Sequence, residues 1–217
     1  DAVSININPS NIDDIVGEFS RGDAARVDEA VAAANAAQPD WAAASPQLRH
    51  DVLEKASNLI TSRKDELGRL LSREEGKTLA EGIGETMRAA QVFKFFAGEA
   101  IRNVGDAVAS IRPGIDVTVE REAVGTIGLI TPWNFPIAIP AWKLAPALAY
   151  GNAVVMKPAE LTPGCAWELA KILHEAGCPT GVFNLVMGPG STVGARIVEH
   201  PGIDAISFTG SVARSEE

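Results

Sequence analysis

Cysteine is scarce in this chain. Cys165 and Cys178 are the only two, too few for a disulfide framework and without the spacing of a zinc site. His50 and His200 have no neighbours in sequence that suggest a metal, and both read as surface or packing residues. A positive charge excess is absent as well: 19 Lys and Arg stand against 28 Asp and Glu, giving a net charge of −9 and a pI near 4.9. That balance argues against nucleic acid and against anionic membranes as partners. It also holds locally, because Lys64, Arg69, Arg73 and Lys77 alternate with Asp65, Glu66, Glu74 and Glu75. No long apolar run is uninterrupted. The best candidate, residues 137–156, contains Pro140, Lys143, Pro146, Gly151 and Asn152, and so does not read as a membrane span. No basic start followed by an apolar core suggests a secretion signal, and the cytoplasm is the expected compartment.

What is present is enough for a sizeable core: 217 residues, 46% apolar and 22% charged, an ordinary globular composition. The first half reads as helical. Residues 5–20 suggest an extended arm with a turn. Asp23 is a fair N-cap for a helix running to about Ala37, with Val27, Ala30, Val31 and Ala34 at helical spacing. Ser45 before Pro46 starts a second helix, a third runs from Asp65 to Gly76, and a fourth from Leu79 to about Asn103. In the fourth, Ile83, Met87, Val92, Phe95 and Phe96 are the expected buried face. At Gly105 the pattern changes: "VASIRPGIDVTVERE" alternates on both sides of a turn and predicts a projecting β-ribbon over 105–123. From Val124 onward, apolar strands ("VGTIGLI", "AVVMK", "VFNLVM", "AISF") alternate with helices. Near-continuous apolar strands belong in a parallel sheet covered on both faces, and four such units predict a doubly wound α/β sheet.

In such sheets ligands bind beyond the carboxyl ends of the strands, and four distinctive loops fall there: "TPWNFP", "KPAE", "GPGSTVG" and "FTGS". In the first, Asn134 offers two N–H donors between Trp133 and Phe135, within a loop stiffened by Pro132 and Pro136. That suits a developing oxyanion in a dry, apolar setting, or else a cap for the following helix. In the second, Lys157 and Glu160 suit the two hydroxyls of a ribose, or a surface ion pair at a helix start. Gly188, Gly190 and Gly194 let a backbone approach a ligand at a helix N-terminus, or simply make a glycine-rich turn. Ser211 and the amides around Gly210 suit a phosphate.

These stretches, with "SREEGKTLAE", the ribbon and "TPWNFPIAIPAWKLAPALAYGN", resemble the NAD(P)-dependent aldehyde dehydrogenases from about Ile7 to Ser211. "SREEGKTLAEGIGET" and "PAWKLAPALAYGN" look most like the semialdehyde branch, particularly α-ketoglutaric semialdehyde dehydrogenases. The resemblance implies a Rossmann-like NAD(P)-binding region over 124–217, a helical part of that domain over 1–104, and a 105–123 arm that makes a homo-oligomer. It implies Asn134 as the oxyanion amide, and cofactor contacts at Thr131, Pro132, Trp133, Asn134, Lys143, Lys157, Glu160, Gly190, Gly194 and Ser211, with no metal. NAD is the expected cofactor and NADP the alternative, because Glu160 would repel a 2′-phosphate that Lys157 attracts.

In the family a cysteine thiolate attacks the aldehyde, the nicotinamide takes the hydride, and a glutamate activates water for deacylation. Both residues lie downstream of the "FTGS" motif, so the catalytic domain is expected to be absent from these 217 residues. Cys165 and Cys178 read as structural. In "VARSEE", Ser215 takes the place of an expected glycine, which suggests a truncation, a frameshift or a proteolytic boundary. The competing expectation is a catalytically inactive dinucleotide-binding or interaction module.

Overall fold

The computed structural model describes residues 2–211, so Ser215 and its neighbours lie outside the described residues. Strands β1 (Val3–Ile7) and β2 (Ile15–Ser20) pair antiparallel, with the register shifting between Asn6 and Ile7. Helix α1 (Ala24–Ala43) starts where predicted, with the Asp23 side chain accepting from the Arg26 amide. It continues past Ala37 and through Pro39. An interior proline costs a helix about 3 kcal/mol. Here Trp41 anchors the last turn: it is buried, and its indole N–H donates to the Leu148 carbonyl at 3.1 Å.

Helix α2 (Pro46–Ser62) is capped by Ser45, α3 (Lys64–Glu75) stops at Gly76 in the left-handed region (φ 90°), and α4 (Leu79–Ala100) opens with a Thr78/Glu81 capping box. The buried face of α4 differs from the expected one. Gly82, Glu85, Thr86, Ala89, Ala90, Phe93, Ala97 and Ala100 point inward, whereas Phe95 is 59% exposed and Ile83, Met87, Val92 and Phe96 are half-buried. The inward stripe is made of small residues because neighbouring helices cross closely there. A Cβ on Gly82 would stand 2.5 Å from the Gly68 carbonyl oxygen of α3. The large apolar side chains therefore lie on the shoulders of the contact.

Strands β3 (Asp106–Ala109) and β4 (Asp116–Val119) form the ribbon, paired antiparallel from Asp106↔Val119 to Ala109↔Asp116, with every residue of both exposed. The α/β part follows: β5 (Thr126–Ile130), α5 (Ala138–Ala149), β6 (Ala153–Lys157), α6 (Pro163–Ala176), β7 (Phe183–Leu185), a π turn over Gly190–Gly194 running into α7 (Ala195–Glu199), and β8 (Ala205–Phe208). The sheet order is β7-β6-β5-β8 and every pairing is parallel. Alternation along β6 splits the core in two. Val154 and Met156 join the larger cluster with α2, α4, α5 and α6, while Ala153 and Val155 face α1 and α7. The fold is thus a doubly wound α/β sheet, preceded by a helical half and a projecting hairpin. Because the chain leaves β5 toward β6 and β7, then returns to β8 on β5's other side, the strand order reverses between β5 and β8. A crevice at the carboxyl ends belongs there.

Candidate functional site

The loops at the carboxyl ends of the strands are tied to one another. The Thr131 amide donates to the Lys157 carbonyl at 3.2 Å, the Thr209 amide to Ile130 at 3.1 Å, and the Val186 amide to Met156 at 2.9 Å. Parallel pairing brings all four loops to one edge, which gathers most of the candidate residues. Thr131 is buried and its hydroxyl oxygen makes no hydrogen bond. An orphaned buried hydroxyl costs about 1–3 kcal/mol unless something partners it, and this one lies at the switch point.

Lys157 is buried, with its ammonium donating to the Pro158 carbonyl at 2.9 Å, and its stem lies beside Gly194, whose added Cβ would meet Lys157 Cδ at 3.7 Å. The "KPAE" and "GPGSTVG" loops therefore adjoin. Gly190 begins the π turn, and a Cβ there would stand in open space. Glu160 and Ser211 are exposed. Lys143, on α5, donates to the Ser207 hydroxyl of β8 at 2.8 Å, and burial lowers its pKa. It thereby ties α5 to β8 on the switch-point side of the sheet.

The "TPWNFP" loop differs from expectation. Trp133, Asn134 and Phe135 are all exposed, so in this chain Asn134 is not in a dry apolar setting. The two prolines stiffen the loop without burying it. Nor does Asn134 cap α5, whose N-terminus has no side-chain cap of its own. The first amides of α5 are satisfied from elsewhere: Glu85 Oε1 of α4 accepts from Ile137 and Ala138, each at 3.2 Å. Lys77 joins this cap to the loop. Its ammonium lies 2.9 Å from Glu85 Oε2, donates to the Asn134 backbone carbonyl at 2.7 Å, and sits 3.8 Å from the centroid of the Phe135 ring.

Helix α6 has a parallel arrangement. Glu74, buried at the end of α3, accepts from the amides of Gly164 and Cys165 and from the Asn6 side chain. Glu74, Lys77 and Glu85 were missed by sequence reasoning about the site. Their signal was inside "SREEGKTLAEGIGET", but the partners in the two caps lie 52 to 91 residues away.

Burial pushes the Cys165 thiol well above its ordinary pKa, with Glu74 adding to the effect, and it pushes Cys178 up to about 12. Both thiols are protonated at neutral pH, which is the wrong state for a nucleophile. A cleft of about 1320 Å³ runs along the outer edge of β7, from Arg21 and Arg26 past Trp167 to Pro189 and Thr192. It touches the glycine-rich loop but not Asn134, Lys143 or Lys157. A much smaller recess joins Glu160 and Pro158 to Gly188. The strand ends, with their convergent loops and orphaned hydroxyl, are the better candidate.

A family model described as "Aldehyde dehydrogenase family" matches residues 3–217. The chain is 45% identical over 204 residues to an alpha-ketoglutarate semialdehyde dehydrogenase of Haloferax volcanii, and 43% identical over 204 residues to an alpha-ketoglutaric semialdehyde dehydrogenase of Bacillus subtilis. Each match covers 94% of this chain and 42% of the relative. The crystal structure of a betaine aldehyde dehydrogenase of Staphylococcus aureus in complex with NAD+ superposes with a TM-score of 0.95 at 33% identity, covering 99% of this chain and 43% of that one. The chain thus spans about 42% of the length of the curated relatives it matches. The parallel strand order, the loops gathered at its switch point and these matches lead to one conclusion: the chain belongs to the aldehyde dehydrogenase family.

Proposed function

We propose that these residues form the dinucleotide-binding part of an NAD(P)-dependent dehydrogenase that oxidises a semialdehyde to a carboxylate. The observation that carries this reading is that parallel pairing brings four loops to the carboxyl edge of one sheet, where the buried Thr131 hydroxyl has no hydrogen-bond partner. Family membership supplies the reaction class, and the names of the Haloferax and Bacillus relatives favour a semialdehyde.

NAD(P) fits the residues present. Thr131, Pro132 and Trp133 follow directly on β5 at the switch point, Lys157 and Glu160 would supply a donor and an acceptor for the ribose hydroxyls, and a Cβ on Gly190 would stand in open space. Gly194 lies beside the Lys157 stem, the exposed Ser211 would offer its hydroxyl to a pyrophosphate, and Lys143 donates to Ser207. We favour NAD, because Glu160 disfavours a 2′-phosphate and because the Staphylococcus relative was crystallised with NAD+. When bound, the cofactor supplies the two-electron acceptor. The contribution of this chain to the chemistry is Asn134, whose side-chain N–H groups would stabilise the negative charge that develops on the carbonyl oxygen as a nucleophile adds. One such donor is worth about 10²–10³ in rate at related sites. With both thiols buried and protonated, we place that nucleophile outside the described residues.

The same reading divides the chain into a helical part over 1–104, a ribbon over 105–123 and the cofactor-binding region from 124 onward, acting in the cytoplasm. The ribbon exposes Val108, Ile111, Ile115, Val117 and Val119, with Ile111 at 100%, which favours pairing with a second copy. A binding or interaction module without turnover is the second reading, favoured by the burial of both cysteines.

Calorimetric titration of the purified chain with NAD+ and NADP+ tests the first reading. Saturable binding that weakens in Lys157→Ala and Glu160→Ala is expected, and no heat at roughly millimolar cofactor would remove it. Steady NADH production from aldehyde by this chain alone would overturn the placement of the nucleophile.

A further inference from the structure

The segment "EEGKTLAEGIGE" is not used by the reading above, yet it holds a cluster of charges that touches the Asn134 loop. Lys77 is the hub. An ammonium has three N–H donors and is a compact point charge on a flexible stem. Lys77 faces three oxygens: Glu85 Oε2 at 2.9 Å, Glu75 Oε2 at 3.2 Å and the Asn134 backbone carbonyl at 2.7 Å. Glu75 Oε2 makes no hydrogen bond, so that attraction is one of charge alone. The glutamate side chains are 5% and 4% exposed and that of Lys77 is 21% exposed, so the cluster is only partly screened by solvent. The remaining negative charge is opposed by the N-terminus of α5, where Glu85 accepts both first amides. On its outer side the ammonium lies over the Phe135 ring.

We propose that Lys77 is a positioning residue for the Trp133–Phe135 loop, tying the Asn134 peptide to the Glu75/Glu85 pair so that the Asn134 side chain points at the reacting oxygen. The proposal rests on the reading of this loop as part of the aldehyde site. Its physical basis is that the loop is exposed and its prolines set its shape without setting its place. The backbone carbonyl of Asn134 is fixed by a charge-assisted hydrogen bond, and the neighbouring ring by the same cation. Releasing both frees the peptide that carries the Asn134 side chain. A misplacement of about 1 Å in such a group is enough to cost roughly a hundredfold in rate.

The test uses the purified 217-residue chain with Trp142→Phe and Trp167→Phe, leaving Trp133 as the exposed indole beside the buried Trp41. Acrylamide quenching reads Trp133, hydrogen exchange reads residues 131–136, and calorimetry reads global stability. In Lys77→Met, quenching is expected to rise about twofold and loop exchange about tenfold or more, while exchange in the α2 and α6 core keeps its wild-type pattern. Lys77→Arg restores at least half of the protection.

Lys77→Met leaves two buried carboxylates without their cation and is at risk of misfolding. A Glu75→Gln/Lys77→Met/Glu85→Gln variant removes that charge conflict and must show the same loose loop. Folded variants without the ammonium whose loop matches wild type overturn the proposal. So does an Arg variant as loose as Met, because the tie would then not be ionic. NAD+ titration on the same samples keeps the two readings apart. A wild-type chain that binds no NAD+ removes the cofactor reading and leaves the loop result standing. Normal NAD+ binding with an unmoved loop in Lys77→Met removes only this one.

Discussion

Helices α5 and α6 begin alike and are held differently. Each follows a strand of the parallel sheet and a candidate site loop, and each has its first amides taken up by a glutamate distant in sequence. At α6, Glu74 is held by neutral donors, the Gly164 and Cys165 amides and the Asn6 side chain, which joins α3, α6 and β1 at one dry point. At α5, Glu85 shares its carboxylate with the ammonium of Lys77, which also reaches an exposed loop. A carboxylate at a helix N-terminus is favourable in both places. The difference lies in what else it does. The neutral joint fixes a framework, whereas the charged joint transmits position to a surface loop.

Removing the neutral joint should produce the largest effect. Glu74→Ala leaves three buried donors without an acceptor, and with some recovery by water the expected loss is about 3–5 kcal/mol. At about 2–4 °C per kcal/mol for a chain of this size, the calorimetric Tm falls on the order of 10 °C. A loss below about 1 kcal/mol would break the comparison, since the joint would then carry no load. Glu85→Gln should cost less, about 1–2 kcal/mol, because a glutamine oxygen still accepts from Ile137 and Ala138 while its amide faces Lys77. Urea unfolding of the two variants side by side ranks the joints.

Much of the framework was legible before the structure. Ser45 before Pro46, Asp23 and Gly76 mark helix ends by local chemistry, and β5 and β6 are apolar at almost every position because both faces are covered. Their loops follow from parallel topology, which is why Thr131, Lys157, Gly190 and Gly194 were found as one set. The failures share a cause. The inward face of α4 is set by how closely α3 crosses it at Gly68, and α1 passes Pro39 because Trp41 finds Leu148 across the core. The Glu74 and Glu85 caps likewise depend on partners far along the chain. The exposure of Asn134 depends on what packs beside it, and two flanking prolines say nothing about that. Local propensity reaches only across a turn or two, and each of these features is tertiary.

The comparison sharpens if the two joints affect different ligands. The Glu74 joint stands at the start of α6, directly after Lys157 and Glu160, while the Glu85 joint stands behind Asn134. Under the proposed function, Glu74→Gln should weaken NAD+ binding by about tenfold, or about 1.4 kcal/mol, and Glu85→Gln by no more than about twofold. Calorimetric titration of both variants decides it. Equal losses would mean that the loops move as one body and the two joints are not separable.

The smallest effect separates the joints by pH. Burial raises the Glu74 pKa, although the Gly164 and Cys165 amides and the Asn6 side chain work against the shift. A carboxyl whose folded pKa is raised contributes stability that is fully present below its ordinary value of 4.5 and is lost as pH rises through the folded value. Glu74→Gln cannot titrate. The unfolding free energy of wild type minus that of the variant should therefore be largest below the ordinary 4.5 and shrink as pH rises through the raised value. For Lys77, burial lowers the pKa but the Glu85 hydrogen bond and the charges of Glu85 and Glu75 outweigh it, and the net shift is upward. Its contribution is then complete below the ordinary 10.5 and lost only as pH rises through the raised value. Between pH 4 and 7 the difference between wild type and Lys77→Met should carry no slope from the Lys77 ammonium itself. A slope for Glu74→Gln of the opposite sign would mean that the three donors, not burial, dominate that carboxyl, and that the two joints are electrostatically alike after all.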